Sequence, residues 1–237
     1  METTSRLETA TSRRGWVTGV AQALPIVLGY LPIGMAFGIL AQKAGISIVN
    51  TLLMSLLVYA GSSQLIAVGL FEAGTPGLSI ILTTFVVNLR HLLMSAALSP
   101  FLRRWRKPEL AAFAYELTDE TFAMHSARFA SAGPNKAEAF GTNLTTQAAW
   151  LLGSALGSAV GQLIGDSEAF ALDYVLPAMF IALLIMQIKD RTQIVVAGVT
   201  GMIAVGLLLA GVSQWNVILA TLLGATIGVV IETWTKR

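Results

Sequence analysis

The chain has 237 residues, 55% of them hydrophobic and 12% charged, with a mean hydropathy of +0.72. Soluble domains carry roughly 25% charged residues, so this composition excludes an ordinary water-soluble protein and calls for several membrane crossings. The net charge of +2 is too small, and its cations too confined to short connecting segments, for a nucleic-acid partner. The absence of cysteine removes disulfides, thiolate nucleophiles and thiolate-bound metal.

Residues 1–15 read as a polar cytosolic tail or linker, without the short apolar core and small-residue cleavage site of a signal peptide. Residues 16–237 are expected to form a single transmembrane domain. Its apolar runs reach the ~20 residues that cross a ~30 Å hydrocarbon core. They are too long and too continuously apolar for the ~10-residue alternating strands of an outer-membrane barrel. The fold class is therefore all-α: a polytopic membrane helix bundle of about seven spans (six to eight), with kinked or broken helices and room for inverted repeats.

The first run, 16–40, contains Pro25, Gly29 and Pro32. Each proline removes a backbone donor and crowds the preceding turn, so a helix break is expected here, with a kink or short unwound section from Gly29 to Pro32. The backbone so freed must face protein or a polar cavity. The second run, 46–71, is interrupted by Tyr59, Ala60, Gly61, Ser62, Ser63 and Gln64. Gln64 has a donor and an acceptor to satisfy at depth. Such a stretch either packs helices together or opens the helix so that its backbone meets a polar solute, and the solute-facing reading is preferred.

The third run, 76–102, carries Asn88, Leu89, Arg90 and His91. A guanidinium near mid-depth costs roughly 2.5–3.5 kcal/mol on insertion scales and cannot escape by losing a proton. Its partner is sought at Asp119 or Glu120, with Glu116 behind them, while Asp166, Glu168 and Asp173 cluster at one loop or span start. Either the pair only holds the fold, or it lines a translocation path and couples protons to it. His91 has the ordinary titration range of a proton relay. Two histidines with no ligand spacing make no metal site, and no glycine-flanked serine forms a nucleophile elbow, so no catalytic role is assigned. No phosphate-cradling loop appears, and no cofactor is expected.

After this run comes a basic loop at 103–108, the strongest inside-facing signal in the chain, and then a more polar helix at 109–130. That helix either lies in the interface or dips into the bundle with its acidic side inward. Further spans are expected at 143–164, 172–188, 194–209 and 215–233. Gly153, Gly157, Gly161 and Gly165 make a small-residue face, and beside Gly34, Gly38 and Gly45 they hint at a repeat between the halves. The charges conflict over orientation. With the loop at 103–107 inside and 109–130 not crossing, seven spans leave Arg6, Arg13 and Arg14 outside. A crossing at 109–130 makes eight spans and puts the basic loop outside, and a re-entrant early helix would reconcile the two clusters. Seven spans are preferred.

The sequence LPIGMAFG at 31–38, AGSSQ at 60–64, NLRHLLMSAALSP at 88–100 and LTDETF at 117–122 resembles the AzlC family, in order and spacing from about Gly15 to the last span. The resemblance implies a bacterial inner-membrane exporter of valine, leucine and isoleucine, extending to methionine, with a separately encoded small hydrophobic subunit of the AzlD type. The residues fit that role. A zwitterionic substrate needs a site for its carboxylate (a helix amino end or Arg90), one for its ammonium (Gln64, Asn88 or an acidic residue) and an apolar pocket. Alternating access driven by protons is expected. The rival readings are a passive channel or facilitator for a small polar solute, and a structural membrane subunit.

Overall fold

The computed structural model describes residues 2–163, 181, 184, 185, 188, 190–212 and 216–235. Most of the span expected at 172–188, with Pro177, lies outside the described residues, as do Gly165, Asp166, Glu168, Asp173, Lys189, Gln214 and Trp215. The described residues form an all-α, apolar multi-helix bundle. Its helices are α1 (Glu2–Lys43), α2 (Ile48–Leu57), α3 (Gly61–Glu72), α4 (Gly77–Leu98), α5 (Lys107–Tyr115), α6 (Asp119–Ala132), α7 (Lys136–Leu163), α8 (Arg191–Leu209) and α9 (Asn216–Thr235). Three stretches among them are long and apolar enough to cross a membrane: Arg13–Lys43, Gly77–Phe101 and Arg191–Leu209.

The core is the contact between α1 and α7. A Cβ on Gly38 would lie 2.3 Å from the Ser154 carbonyl oxygen, and one on Gly157 would lie 2.0 Å from that of Met35. Only glycine allows backbones this close. The two glycine stripes that resemble a repeat are therefore two sides of one contact. The helices run in parallel, because Gly15 faces Asn135 and Ala137 at one end while Gly161 faces Ile39 and Gln42 at the other. Helices related by an inverted repeat would run opposite ways.

Two expectations for the first run change. α1 continues without interruption through Pro25, Gly29 and Pro32, so the unwound section is absent. Each proline forfeits one backbone bond, and the long α7 contact holds the rest of the helix in register. The tail is not a separate element either, since its backbone is the first part of α1.

The backbone opens elsewhere. The second run breaks at Val58–Ala60, between α2 and α3, and Tyr59 sits there at φ 44°, a left-handed conformation that costs a bulky residue of order 1–3 kcal/mol. The polar segment breaks at Glu116–Thr118, between α5 and α6. It dips into the bundle, with Glu116, Leu117, Thr118, Thr121 and His125 all buried.

Each broken pair returns to the end of the bundle from which it starts. Lys136, after α6, pairs with Glu109, at the start of α5, at 2.6 Å, so that pair enters and leaves on one side. Lys136 and the Arg106 backbone N–H hold the Glu109 carboxyl below its usual range. The end of α4 is on that same side, since Met94 and Leu98 pack with Leu102, Trp105 and Ala139. α4 therefore begins on the opposite side, where α1 ends. The α2–α3 pair joins those two ends and returns to where it started. A span followed by a re-entrant pair thus occurs twice, α1–α2–α3 and α4–α5–α6, with opposite sense.

The two basic clusters lie at one end of the bundle. Arg13 and Arg14 adjoin Gly15, which lies against Asn135 and Ala137, so they share a side with the 103–107 cluster and Lys136. Arg13 and Arg14, expected on the side opposite the basic loop, lie at its end of the bundle.

Candidate functional site

The tips of the two broken pairs meet between α1 and α4. They enclose a cavity of about 340 Å³ whose walls include Pro25, Gly29, Tyr30, Tyr59, Gly61, Ser62, Arg90, His91, Thr118, Asp119, Glu120 and Trp150. Ile26 and Ile33 add aliphatic surface. The volume is at the small end of the ~300–1,000 Å³ typical of ligand pockets.

Arg90 lies near the middle of the Gly77–Phe101 stretch. Its Nη1 donates to Asp119 Oδ2 at 2.5 Å and its Nη2 to Ser62 Oγ at 2.5 Å. Its Nε is buried with no partner. The arginine thereby ties α4 to the first turn of both α3 and α6. Of the two carboxylates expected to compensate it, Asp119 does so, while Glu120 accepts a 2.6 Å bond from the Tyr30 hydroxyl. That hydroxyl also lies 2.7 Å from Thr118 Oγ1.

The two helix starts at the cavity differ. At α6, Thr118 caps the amino end by accepting from the Thr121 N–H, and Asp119 and Glu120 add negative charge to the first turn. At α3, Ala60 supplies no side-chain cap, so the first-turn N–H groups of Gly61, Ser62 and Ser63 have no partner within the helix. One wall is therefore an uncapped amino end beside a guanidinium, suited to an anion. The other is an acidic amino end, suited to an ammonium.

Other expected site residues are placed differently. Ser63 is buried and donates to the Ala60 carbonyl. Gln64, 1% exposed, points into the core: Oε1 accepts from the Ala60 N–H and from Trp150 Nε1, and Nε2 donates to Ser55 Oγ. Neither lines the cavity, contrary to the solute-facing expectation. A glutamine can satisfy a broken backbone as fully as it can a ligand, and here it does the former. Asn88 and Pro32 are off the wall too, and the Asn88 Oδ1 is buried without a partner. His91 is on the wall, its Nδ1 bonded at 3.0 Å to the Asn88 carbonyl. Among the described residues no group of His, Asp and Glu could hold a metal ion.

Several wall residues escape sequence reasoning. Trp150 packs edge-on against Tyr30 and stacks on Phe37. A tryptophan in mid-span rather than at an interface was the available signal. Tyr30 stands between the two prolines of α1. The buried polar face of α7, with Asn143, Thr146, Gln147 and Ser154, was legible only as hydroxyls and amides recurring at three- and four-residue steps.

The family model described as AzlC protein matches residues 25–164, which include both tips, Arg90 and the cavity. The chain belongs to the AzlC family. Among similar proteins, an uncharacterized membrane protein of Archaeoglobus fulgidus is 34% identical over 209 residues, covering 87% of this chain and 90% of the relative. The inner membrane protein YgaZ of Escherichia coli is 30% identical over 220 residues, covering 90% and 87%. The branched-chain amino acid transport protein AzlC of Bacillus subtilis is 27% identical over 194 residues, covering 81% and 76%. No solved structure matches. As an AzlC-family member the chain is a multi-pass membrane transport protein, residing in the inner membrane in bacteria, and not an enzyme.

Proposed function

We propose that this chain exports branched-chain amino acids (valine, leucine and isoleucine, with methionine as a further substrate) by proton-coupled alternating access. The observation that carries the reading is the pairing of unlike helix starts across one small cavity at mid-depth. The substrate carboxylate meets the uncapped α3 amino end and the free Nε of Arg90, the ammonium meets Glu120, and the side chain lies against Ile26, Ile33 and Trp150. A zwitterion has this charge pattern, and the relative named for branched-chain amino acid transport supports the substrate class. Discrimination among the aliphatic side chains is modest, since a methylene is worth only ~1–3 kcal/mol.

Substrate entry competes with Asp119 for Arg90. Withdrawal of Asp119 frees the guanidinium, and re-pairing expels the substrate. Each tip belongs to a pair entering from one side, so small tip movements open the cavity to one face at a time. On this topology the sequence-derived count of seven spans falls to six. A small AzlD-type membrane subunit is the expected partner, for which the outward apolar face of α4 (Leu78, Ile81, Phe85, Leu92) offers surface.

The test is valine transport in proteoliposomes holding the chain and its small subunit, with a pH gradient imposed. Uphill accumulation that collapses with the gradient supports the reading. Downhill flux indifferent to the gradient replaces it with the passive facilitator, and no flux of any branched-chain amino acid removes the substrate assignment. Arg90→Gln should reach the membrane at normal abundance and lose at least tenfold in transport. Loss from the membrane instead would make Arg90 a fold-holding residue.

A further inference from the structure

A buried carboxyl near the cavity has no role in the transport cycle described above. Glu116 is the residue after α5, at the tip of the second re-entrant pair. It is 7% exposed, and its Oε2 is buried with no hydrogen-bond partner. Buried carboxylates are tolerated where a cation or several donors answer them. The arginines of α4 and α6 are committed elsewhere, Arg90 to Asp119 and Arg128 to Glu138. The carboxyl end of α5, with its partial negative charge, is at the same place.

The titratable groups on the elements packed beside this tip are engaged as well. Tyr59, within electrostatic reach across the α2–α3 break, donates to Thr146 Oγ1. Tyr115 donates to the Leu56 carbonyl and accepts from Gln147. His125 on α6 holds the Asn143 carboxamide through Nε2 at 2.7 Å, and Glu138 on α7 is held by Arg128 and Gln22. On α7, Asn143 Nδ2 is another buried polar atom without a partner. Along α7, Thr146, Asn143 and Glu138 run from the cavity wall at Tyr59 toward the basic side, ending at half-exposed Arg128.

We infer that Glu116 takes up and releases the coupling proton from a site behind the cavity, with the α7 polar face as its route to the basic side. This deepens the transport reading and rests on it for what the proton drives. The step is a bare proton transfer: an O–H bond forms on the carboxylate as the proton arrives and breaks as it leaves. A metal ion is a poor occupant, since calcium takes six or more oxygen ligands and no group of His, Asp and Glu among the described residues could hold one. The link to the substrate is short. Two residues on, Thr118 caps α6 and meets Tyr30, and Asp119 and Glu120 follow it, so neutralising the tip bears directly on the acidic wall of the cavity.

Two readouts test this on the full chain with its small subunit. Infrared difference spectra of wild type minus Glu116→Gln should show a protonated-carboxyl carbonyl band at neutral pH, where solvated carboxylates are ionised. In proteoliposomes, Glu116→Gln should retain valine exchange within twofold of wild type and lose at least tenfold in accumulation driven by a pH gradient. Glu116→Asp should restore accumulation, and its retention of both signals separates a proton role from a packing role. Absence of the band, or gradient-driven accumulation persisting in Glu116→Gln, overturns the inference. A wild type that moves no branched-chain amino acid overturns the transport reading instead, while the infrared band still decides Glu116.

Discussion

Replacing Gln64 with leucine probes how the first broken pair is held open. Gln64 Oε1 accepts from the Ala60 N–H at 3.2 Å and from Trp150 Nε1 at 3.1 Å, and Nε2 donates to Ser55 Oγ at 3.3 Å. Leucine fills a similar space and strands both N–H donors in a site that is 1% exposed. A buried donor left unpaired costs ~1–3 kcal/mol, so the two together cost about 2–6 kcal/mol. New apolar packing offsets part of this, leaving a net loss of about 2–4 kcal/mol. For a chain of this size that lowers the melting temperature by about 5–15 °C. Ser63→Ala is the control, because it deletes one bond to the Ala60 carbonyl at the same break and should cost ~1 kcal/mol. The assay is thermal unfolding of purified protein in detergent, followed by loss of the monodisperse elution peak. From the sequence alone, Gln64→Leu inserts normally and loses only transport; the structure predicts lowered stability first. A Gln64→Leu protein that melts with Ser63→Ala would refute the role given to Gln64.

Two further outcomes follow from the backbone geometry. Gly157→Ala drives a Cβ to 2.0 Å from the Met35 carbonyl oxygen, whereas the same change at Gly198 meets nothing within 4 Å. Overpacking of ~1–3 kcal/mol, opposed by alanine's ~1 kcal/mol advantage in a helix, should leave Gly157→Ala less stable by about 1 kcal/mol and Gly198→Ala unchanged or improved; equal melting temperatures would contradict the close parallel contact. Because the chain has no cysteine, single cysteines at Arg13, Arg104 and Glu72 can be labelled from one side of intact cells with an impermeant maleimide. Arg13→Cys and Arg104→Cys should label alike and Glu72→Cys oppositely, and opposite labelling of the first two would overturn the re-entrant assignment of α2–α3.

The sequence by itself determined the solvent, the helical class and the family. Continuous apolar runs fix the first two because bilayer thickness and backbone satisfaction leave few alternatives. It also located the chemistry, since an arginine that cannot deprotonate must find an anion, and only a few carboxylates stood away from the ends. The interruption at Tyr59–Gln64 was visible as small and polar residues in an apolar run.

The tertiary structure alone decided which groups meet. Asp119 and Glu120 are adjacent and chemically alike, yet one faces Arg90 and the other Tyr30, because the first turn of α6 points them in different directions. Gln64 could have faced solute or core, and local composition is the same for both. Pro25 and Pro32 looked like stronger breakers than Val58 or Leu117, but α1 is held along its length by α7 and the shorter runs are not. Sidedness was the hardest to read. Hydropathy measures whether a segment prefers lipid and says nothing about which helix ends lie together, which the Lys136–Glu109 pair and the parallel α1–α7 contact show.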